Sequence, residues 1–272
     1  LGELTGDDDP AVAVVGARRA TTYGLAVARW LGEDLARGGV TVISGLARGI
    51  DSAAHQGALR APGGRTLAVL AHGPDRVYPP ENVALARAIV SRGALITEFP
   101  PRTPPLRPYF TRRNRLISGL GRGVVVVEAA RRSGSLVTAR LAGEQNREVF
   151  AVPGPVTAPT SAGANQLLTE GAHPARTAAD VVLQLPVEAR QAVERAVARR
   201  DRGGAPPGLT GPEREVWQAL DPTLPRTLDR LAETSGRRVP DLLAALLGLE
   251  IQELATPLPG GAWIRRDWTG RG

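Results

Sequence analysis

Between residues 11 and 185, short runs of Val, Ile, Leu and Ala alternate with stretches whose apolar positions recur at helical spacing. The runs at 11–15, 40–44, 66–70, 94–97, 124–128 and 148–152 predict strands, and segments 23–37, 52–61, 82–92, 110–118 and 136–145 predict helices between them. Continuously apolar strands, such as Val124 to Val127, belong to sheets buried on both faces by crossover helices. The expected fold class is α/β, a Rossmann-like, doubly wound, mostly parallel sheet.

The pattern changes at Pro186. A basic helix-like piece, 187–200, leads into Gly203, Gly204, Pro206, Pro207 and Gly208, which has the composition of a linker. Helical patterns at 212–220, 227–234 and 239–247 follow, then a short run at 251–254, a turn at 257–261 and a second run at 263–265. Three helices and a hairpin are the layout of a small winged-helix domain. The expected organisation is a loose N-terminal segment at 1–9, a Rossmann-like domain at 10–185, a linker at 186–211 and a winged-helix domain at 212–268, with a loose tail after Asp267.

Composition narrows the chemistry. The 272 residues contain no Cys, which removes disulfides, Cys-ligated zinc and thiol nucleophiles together. The His residues, at 55, 72 and 173, are scattered, so no metal site is expected. All 34 basic side chains are Arg, which excludes a Walker A loop and Schiff-base catalysis, both of which need Lys. A net charge of +7 favours an anionic partner. The acidic start at Asp7, Asp8 and Asp9, and the lack of a long apolar run, predict a cytoplasmic chain without membrane insertion.

In an open parallel sheet, ligands bind beyond the carboxyl ends of the strands. Four loops there carry candidate chemistry. The first, after strand one, is Gly16-Ala17-Arg18-Arg19, where Gly lets backbone approach a ligand and Arg can meet an anion. The second runs through Ser44, Gly45, Arg48 and Gly49 to Asp51, and combines hydroxyl, Gly and Arg at a helix start. Asp51 reads as the cap of that helix, and His55 as a packed imidazole.

The third, 100–123, carries Arg102, Arg107, Arg112, Arg113, Arg115 and Arg122 without Asp or Glu, around Tyr109 and Phe110. Guanidinium groups beside aromatic rings suit single-stranded nucleic acid, whose charge and splayed bases must be met together. The fourth, Ser133, Gly134 and Ser135, opens a helix in an anion-binding geometry. Together they call for a phosphate-rich ligand.

The stretches VVGARRATTYG, SGLARGIDSAAHQGAL, LAVLAHGPDRVYPPEN, FTRRNRLISGL, VVVVEAARRSGSLVTARLAGEQNREVFAVPG and GANQLLTEGA resemble, in order, the motifs of the DNA-processing protein A (DprA/Smf) family. The resemblance implies a non-enzymatic binder of incoming single-stranded DNA in natural transformation. Such a protein protects the strand and loads the RecA recombinase on it, without a cofactor, and binds double-stranded DNA more weakly. It implies a homodimer formed through the Rossmann-like domain, near residues 165–171. By position, the DNA contacts would include Arg48, Arg107, where one member has Lys, and Phe110, near Asn114.

The chain departs from the family in two places: Ala17 stands where Ser commonly precedes the Arg, and Leu1 lies just before the first strand, where members often have a helical domain. The helix at 239–247 is apolar apart from Asp241, so the winged helix reads as a protein-contact or weak phosphate-contact module rather than a reader of base edges.

Two other functions fit the same loops. A phosphoribohydrolase-like N-glycosidase would draw its acid or base from Glu128, Asp51 or His55, although the Pro-Gly-Gly-x-Gly-Thr-x-x-Glu motif is missing. A nucleotide-binding sensor would saturate with one mononucleotide.

Overall fold

The first strand, β1 (Ala11–Val15), is buried at all five positions, so its sheet is covered on both faces. In the computed structural model, which describes residues 1–200, 208–222, 225–258 and 260–266, the chain divides into two compact units, Leu1–Val193 and Glu194–Gly272.

In the first unit, β1 is followed by α1 (Thr22–Arg37), β2 (Thr41–Ser44), α2 (Ile50–Arg60), β3 (Thr66–Val69), α3 (Val83–Val90) and β4 (Ala94–Ile96). Then come α4 (Arg107–Leu120), β5 (Gly123–Val126), α5 (Gly134–Glu144), β6 (Glu148–Ala151), α6 (Ala162–Thr169), β7 (His173–Pro174) and α7 (Ala178–Gln184), and the division between the units falls within α8 (Val187–Arg200). The strands form one seven-stranded sheet in the order β4-β3-β2-β1-β5-β6-β7, parallel at every pairing. The chain winds outward from β1 to β4, returns through α4 to the other side of β1, and winds outward again. The strand order therefore reverses between β1 and β5. One apolar cluster joins Val15, Ile43, Val69, Ile117, Val124 and Ala151, and a second joins Leu46, Ala68, Leu70, Ile89 and Leu95.

The second unit contains α9 (Gly211–Ala219), β8 (Arg226–Thr227), α10 (Leu228–Ser235), α11 (Val239–Ile251), β9 (Ala255–Leu258) and β10 (Ala262–Arg265). Its three strands pair antiparallel in the order β8-β10-β9, and its core is built on Val216, Trp217, Leu220, Leu231, Leu242, Leu246 and Leu249. Three helices with a small antiparallel sheet make a winged helix.

Several expectations change. Segment 1–9 is not loose: Leu1 and Leu95 exchange backbone hydrogen bonds, Glu3 N donates to Gly93 O at 3.0 Å, and Arg65 holds Asp8 at 2.8 Å. The segment covers the edge strand β4, whose open backbone groups need partners. The expected linker 186–211 is largely helical at its start, because Ala189, Val193 and Val197 form a buried stripe on α8. Its Gly/Pro centre, and the tail from residue 267, lie outside the described residues.

Residues 251–254 finish α11 rather than forming a strand, and Pro257 sits within β9. That strand is at the sheet edge, where a missing N–H is tolerated. Among the described residues, no helix is long and apolar enough to cross a membrane.

Candidate functional site

A cleft of about 810 Å³ opens over the carboxyl ends of β1 and β5, at the reversal of strand order. Such a point is where consecutive loops splay apart in doubly wound sheets and leave a crevice. One wall is the β1–α1 loop with Gly16, Ala17, Arg18 and Arg19. The opposite wall is the β5–α5 loop with Ala130, Arg132, Ser133, Gly134 and Ser135. The third is α4, the return crossover. This helix begins at Arg107, one turn earlier than its apolar pattern indicates, because Pro108 is well accommodated in a first turn. The early start places Arg107, Phe110 and Asn114 on one face, toward the cleft.

The two flanking loops are fixed by buried carboxylates. Glu128 accepts from Thr21 N at 2.9 Å and from Thr21 Oγ1 at 2.6 Å, and Thr21 in turn caps α1 by accepting from Gly24 N at 3.1 Å. Gly24 permits this, because a Cβ there would meet the Glu128 carboxyl carbon at 2.4 Å. Asp51 is not the cap of α2: its carboxylate reaches back to Gly45 N at 3.1 Å and Ala47 N at 3.4 Å. The helix instead starts at Gly49, whose φ of 77° and close approach to Ala17 O exclude a side chain.

Arg113, expected to hold DNA from the surface, is 97% withdrawn from solvent. Its Nη1 donates to Gly45 O at 2.9 Å and to Val69 O, tying α4 to the ends of β2 and β3 beneath the cleft. Burial pulls its guanidinium down to about 10, against the pull of the Asp51 carboxylate; burial raises the Asp51 carboxyl, and the Arg113 charge opposes that rise. Arg113 is a charged strut in the floor.

His55 is fully buried. Thr66 Oγ1 spends its one proton on Val42 O at 2.6 Å, so it accepts from His55 Nδ1 at 2.7 Å, which leaves Nε2 as a bare, unpartnered lone pair. Burial, with the Arg113 charge adding to it, lowers His55 to about 3. The imidazole is therefore a neutral packing group, as its place on an apolar helix face indicates.

Of the residues expected at the site, the structure gathers Gly16, Arg18, Arg107, Phe110, Arg113, Asn114, Ser133, Gly134 and Ser135 around the cleft. It does not gather the rest. Ser44 is buried and donates to Val14 O at 2.6 Å, and Gly45 is occupied by Asp51 and Arg113. Gly49 is packed on Ala17 O. Arg48 lies outside the lining, paired with Glu81 on the surface, and Arg115 points away to Glu98, which Arg112 also reaches at 3.3 Å. The loop after β2 reaches the cleft only through Ala47 and, at the start of α2, Asp51, so its anion-binding look does not translate into a row of donors there.

Arg19, part of the first candidate loop, also lines the cleft, and two further lining groups went unrecognised, Arg132 and Tyr78. Arg132 could have been found from its position in the loop after β5, had the strand order been known. The Arg18 guanidinium lies 5.0 Å from the Phe110 ring centroid, and the Tyr78 ring stands 5.9 Å from Phe110, tilted by 58°. Arg18, Arg19, Arg107 and Arg132 have no carboxylate partner among the described residues. The cleft thus offers four free guanidinium groups, a helix N-terminus and an aromatic ring. Among the described residues there is no cluster of His, Asp and Glu able to hold a metal ion.

Fold and cleft together define a Rossmann-like α/β unit with an arginine-lined cleft at one edge of its sheet, followed by a winged helix. The family model of DNA recombination-mediator protein A matches residues 1–186, and that of the DprA winged helix domain matches residues 200–261. The chain belongs to the DNA recombination-mediator protein A (DprA/Smf) family.

It is 42% identical over 266 residues to Protein Smf of Escherichia coli, covering 96% of this chain and 69% of that protein. It is 43% identical over 175 residues to DNA processing protein DprA of Bacillus subtilis, covering 64% and 59%. The X-ray structure of DprA from Streptococcus pneumoniae superposes with a TM-score of 0.61 at 40% identity, over 65% of this chain and 62% of that one. A Helicobacter pylori structure described as revealing a single-stranded DNA binding mode of DNA processing protein A superposes at 0.60 and 30% identity, over 65% and 80%. The chain thus spans roughly two thirds of several of these relatives' lengths.

Proposed function

We propose that the cleft binds single-stranded DNA without sequence preference and that the chain acts as a recombination mediator, protecting the strand and handing it to the RecA recombinase during natural transformation. The observation that carries this reading is the gathering of Arg18, Arg19, Arg107 and Arg132 in one cleft with Phe110, over whose ring Arg18 lies, at the strand-order reversal. The guanidinium groups meet backbone phosphates, and the ring provides a stacking platform that accepts any base. Double-stranded DNA binds more weakly, because its stacked bases do not reach the ring. The relative from Helicobacter pylori, described as a single-stranded DNA binder, supports the choice of ligand.

The protein acts without catalysis and without a cofactor. Glu128 is engaged with the start of α1, Asp51 with the β2–α2 loop, and His55 with Thr66, so the groups a phosphoribohydrolase reading would need are occupied structurally. Dimerisation through the edge of the Rossmann-like unit, around residues 165–171 beside the terminal strand β7, would set two clefts along one strand.

Fluorescence anisotropy with single- and double-stranded oligonucleotides of equal length, across a salt series, tests the reading. Single-strand preference with a steep salt slope is expected, and salt-independent binding or saturation by a mononucleotide overturns it.

A further inference from the structure

Between Asp241 and Glu250 the helix α11 is apolar on every side. Leu242, Ala245, Leu246 and Leu249 face the winged-helix core, which accounts for one side. On the other side, Val239, Leu243, Leu247 and Ile251 are 40%, 38%, 54% and 84% exposed, with Ala244 exposed beside them. No charged residue occurs between Asp241 and Glu250. A surface helix ordinarily presents polar side chains to water, and a continuous apolar ridge marks a contact surface. Nucleic acid is a poor occupant, since the ridge has neither cations nor hydrogen-bonding side chains.

We propose that this ridge docks against α11 of a second copy of the chain, the two helices running antiparallel. The four exposed side chains recur every four residues and so form one continuous apolar ridge along the helix. The ridge is self-complementary about its midpoint near Ala245: in antiparallel register Leu243 of one copy meets Leu247 of the other, and Val239 meets Ile251. The ends match in charge. Arg238, exposed at the N-terminal end and reaching Asp241 of its own helix at 3.2 Å, comes opposite Glu250 and Glu253 at the partner's C-terminal end, and the helix dipoles oppose favourably. A contact in which each copy offers the same patch is a two-fold interface. It lies on the winged helix and is distinct from any contact made by the sheet edge.

The chain has no Cys, so single thiols can be placed at will. In the full chain, Val239→Cys mixed with Ile251→Cys is expected to form an interchain disulfide at least about tenfold faster than either variant alone, because like positions lie roughly 18 Å apart along antiparallel helices. Equal rates in all three samples, or faster linking within one variant, overturns the proposal.

Independently, Leu247→Glu, checked for an unchanged circular dichroism spectrum, is expected to weaken one association step in sedimentation velocity by at least about tenfold, which is ~1.4 kcal/mol. Arg238→Glu is expected to weaken the same step and Arg238→Glu with Glu250→Arg and Glu253→Arg to restore it. An unchanged mass distribution for Leu247→Glu overturns the assignment of this face to a second copy.

Discussion

The guanidinium of Arg18 is parked 5.0 Å from the centroid of the Phe110 ring, the one aromatic surface in the cleft that belongs to α4. This cation lies over a face that an incoming base would stack on. The two groups therefore act as a unit. Phe110→Ala is expected to weaken single-strand binding by ~1–3 kcal/mol, and Phe110→Tyr to preserve it. Arg18→Ala and Phe110→Ala together are expected to cost less than the sum of the single losses, and additivity in the double-mutant cycle would show that the pair is not shared by the ligand.

The cleft lining separates the surface arginines into two groups. Arg19→Ala and Arg132→Ala should each flatten the log–log salt dependence of single-strand binding by about 0.7, the value for one phosphate contact. Arg48→Ala and Arg115→Ala, whose side chains pair with Glu81 and Glu98 outside the cleft, should leave the slope nearly unchanged. Titrations of the four variants at several salt concentrations decide the matter.

Arg113 bears on stability rather than on ligand contact. Its removal leaves two buried carbonyls without their donor and strips the buried Asp51 of its facing cation. Arg113→Ala is expected to destabilise the first unit by about 3–5 kcal/mol in urea unfolding. Arg113→Lys is expected to recover only part of this, since one ammonium cannot reproduce the planar fork.

His55 makes stability depend on pH. Its folded value, about 3, lies below the unfolded 6.5, so the unfolded chain binds the extra proton between those limits. The contribution of this group is complete above pH 6.5 and is lost progressively as the pH falls toward 3. His55→Gln should reduce the slope of unfolding free energy against pH in that window by up to ~1.4 kcal/mol per pH unit. An identical slope in the variant would mean that another group governs acid unfolding.

The six long strands were legible because each is a run of apolar residues flanked by Gly or polar turns, as at Val124 to Val127. The short strands β7 and β8, two residues each, carry no periodicity to read, and α6 is masked by Ala162, Gly163 and Ala164 at its start. The walls of the cleft at Arg18, Phe110 and Ser133 were readable from loop chemistry. Which loops converge was not, because it depends on the order of strands across the sheet. Gly45 and Gly134 look alike in sequence, yet one supports a buried strut and the other opens a helix beside the ligand space. Arg113 and Arg112 are neighbours of the same type, and only the phase of α4 sends one into the floor and the other to Glu98.

The cleft's free cations are all guanidinium groups, in a chain that uses Arg for each of its 34 basic residues. A guanidinium keeps its proton at any physiological pH, so acidity has no purchase on the grip these side chains provide. Nor is there a lysine amine there for acetylation to neutralise. On the proposed reading, release of a bound strand therefore comes from competition: counterions crowding the phosphates, or another protein that takes the strand.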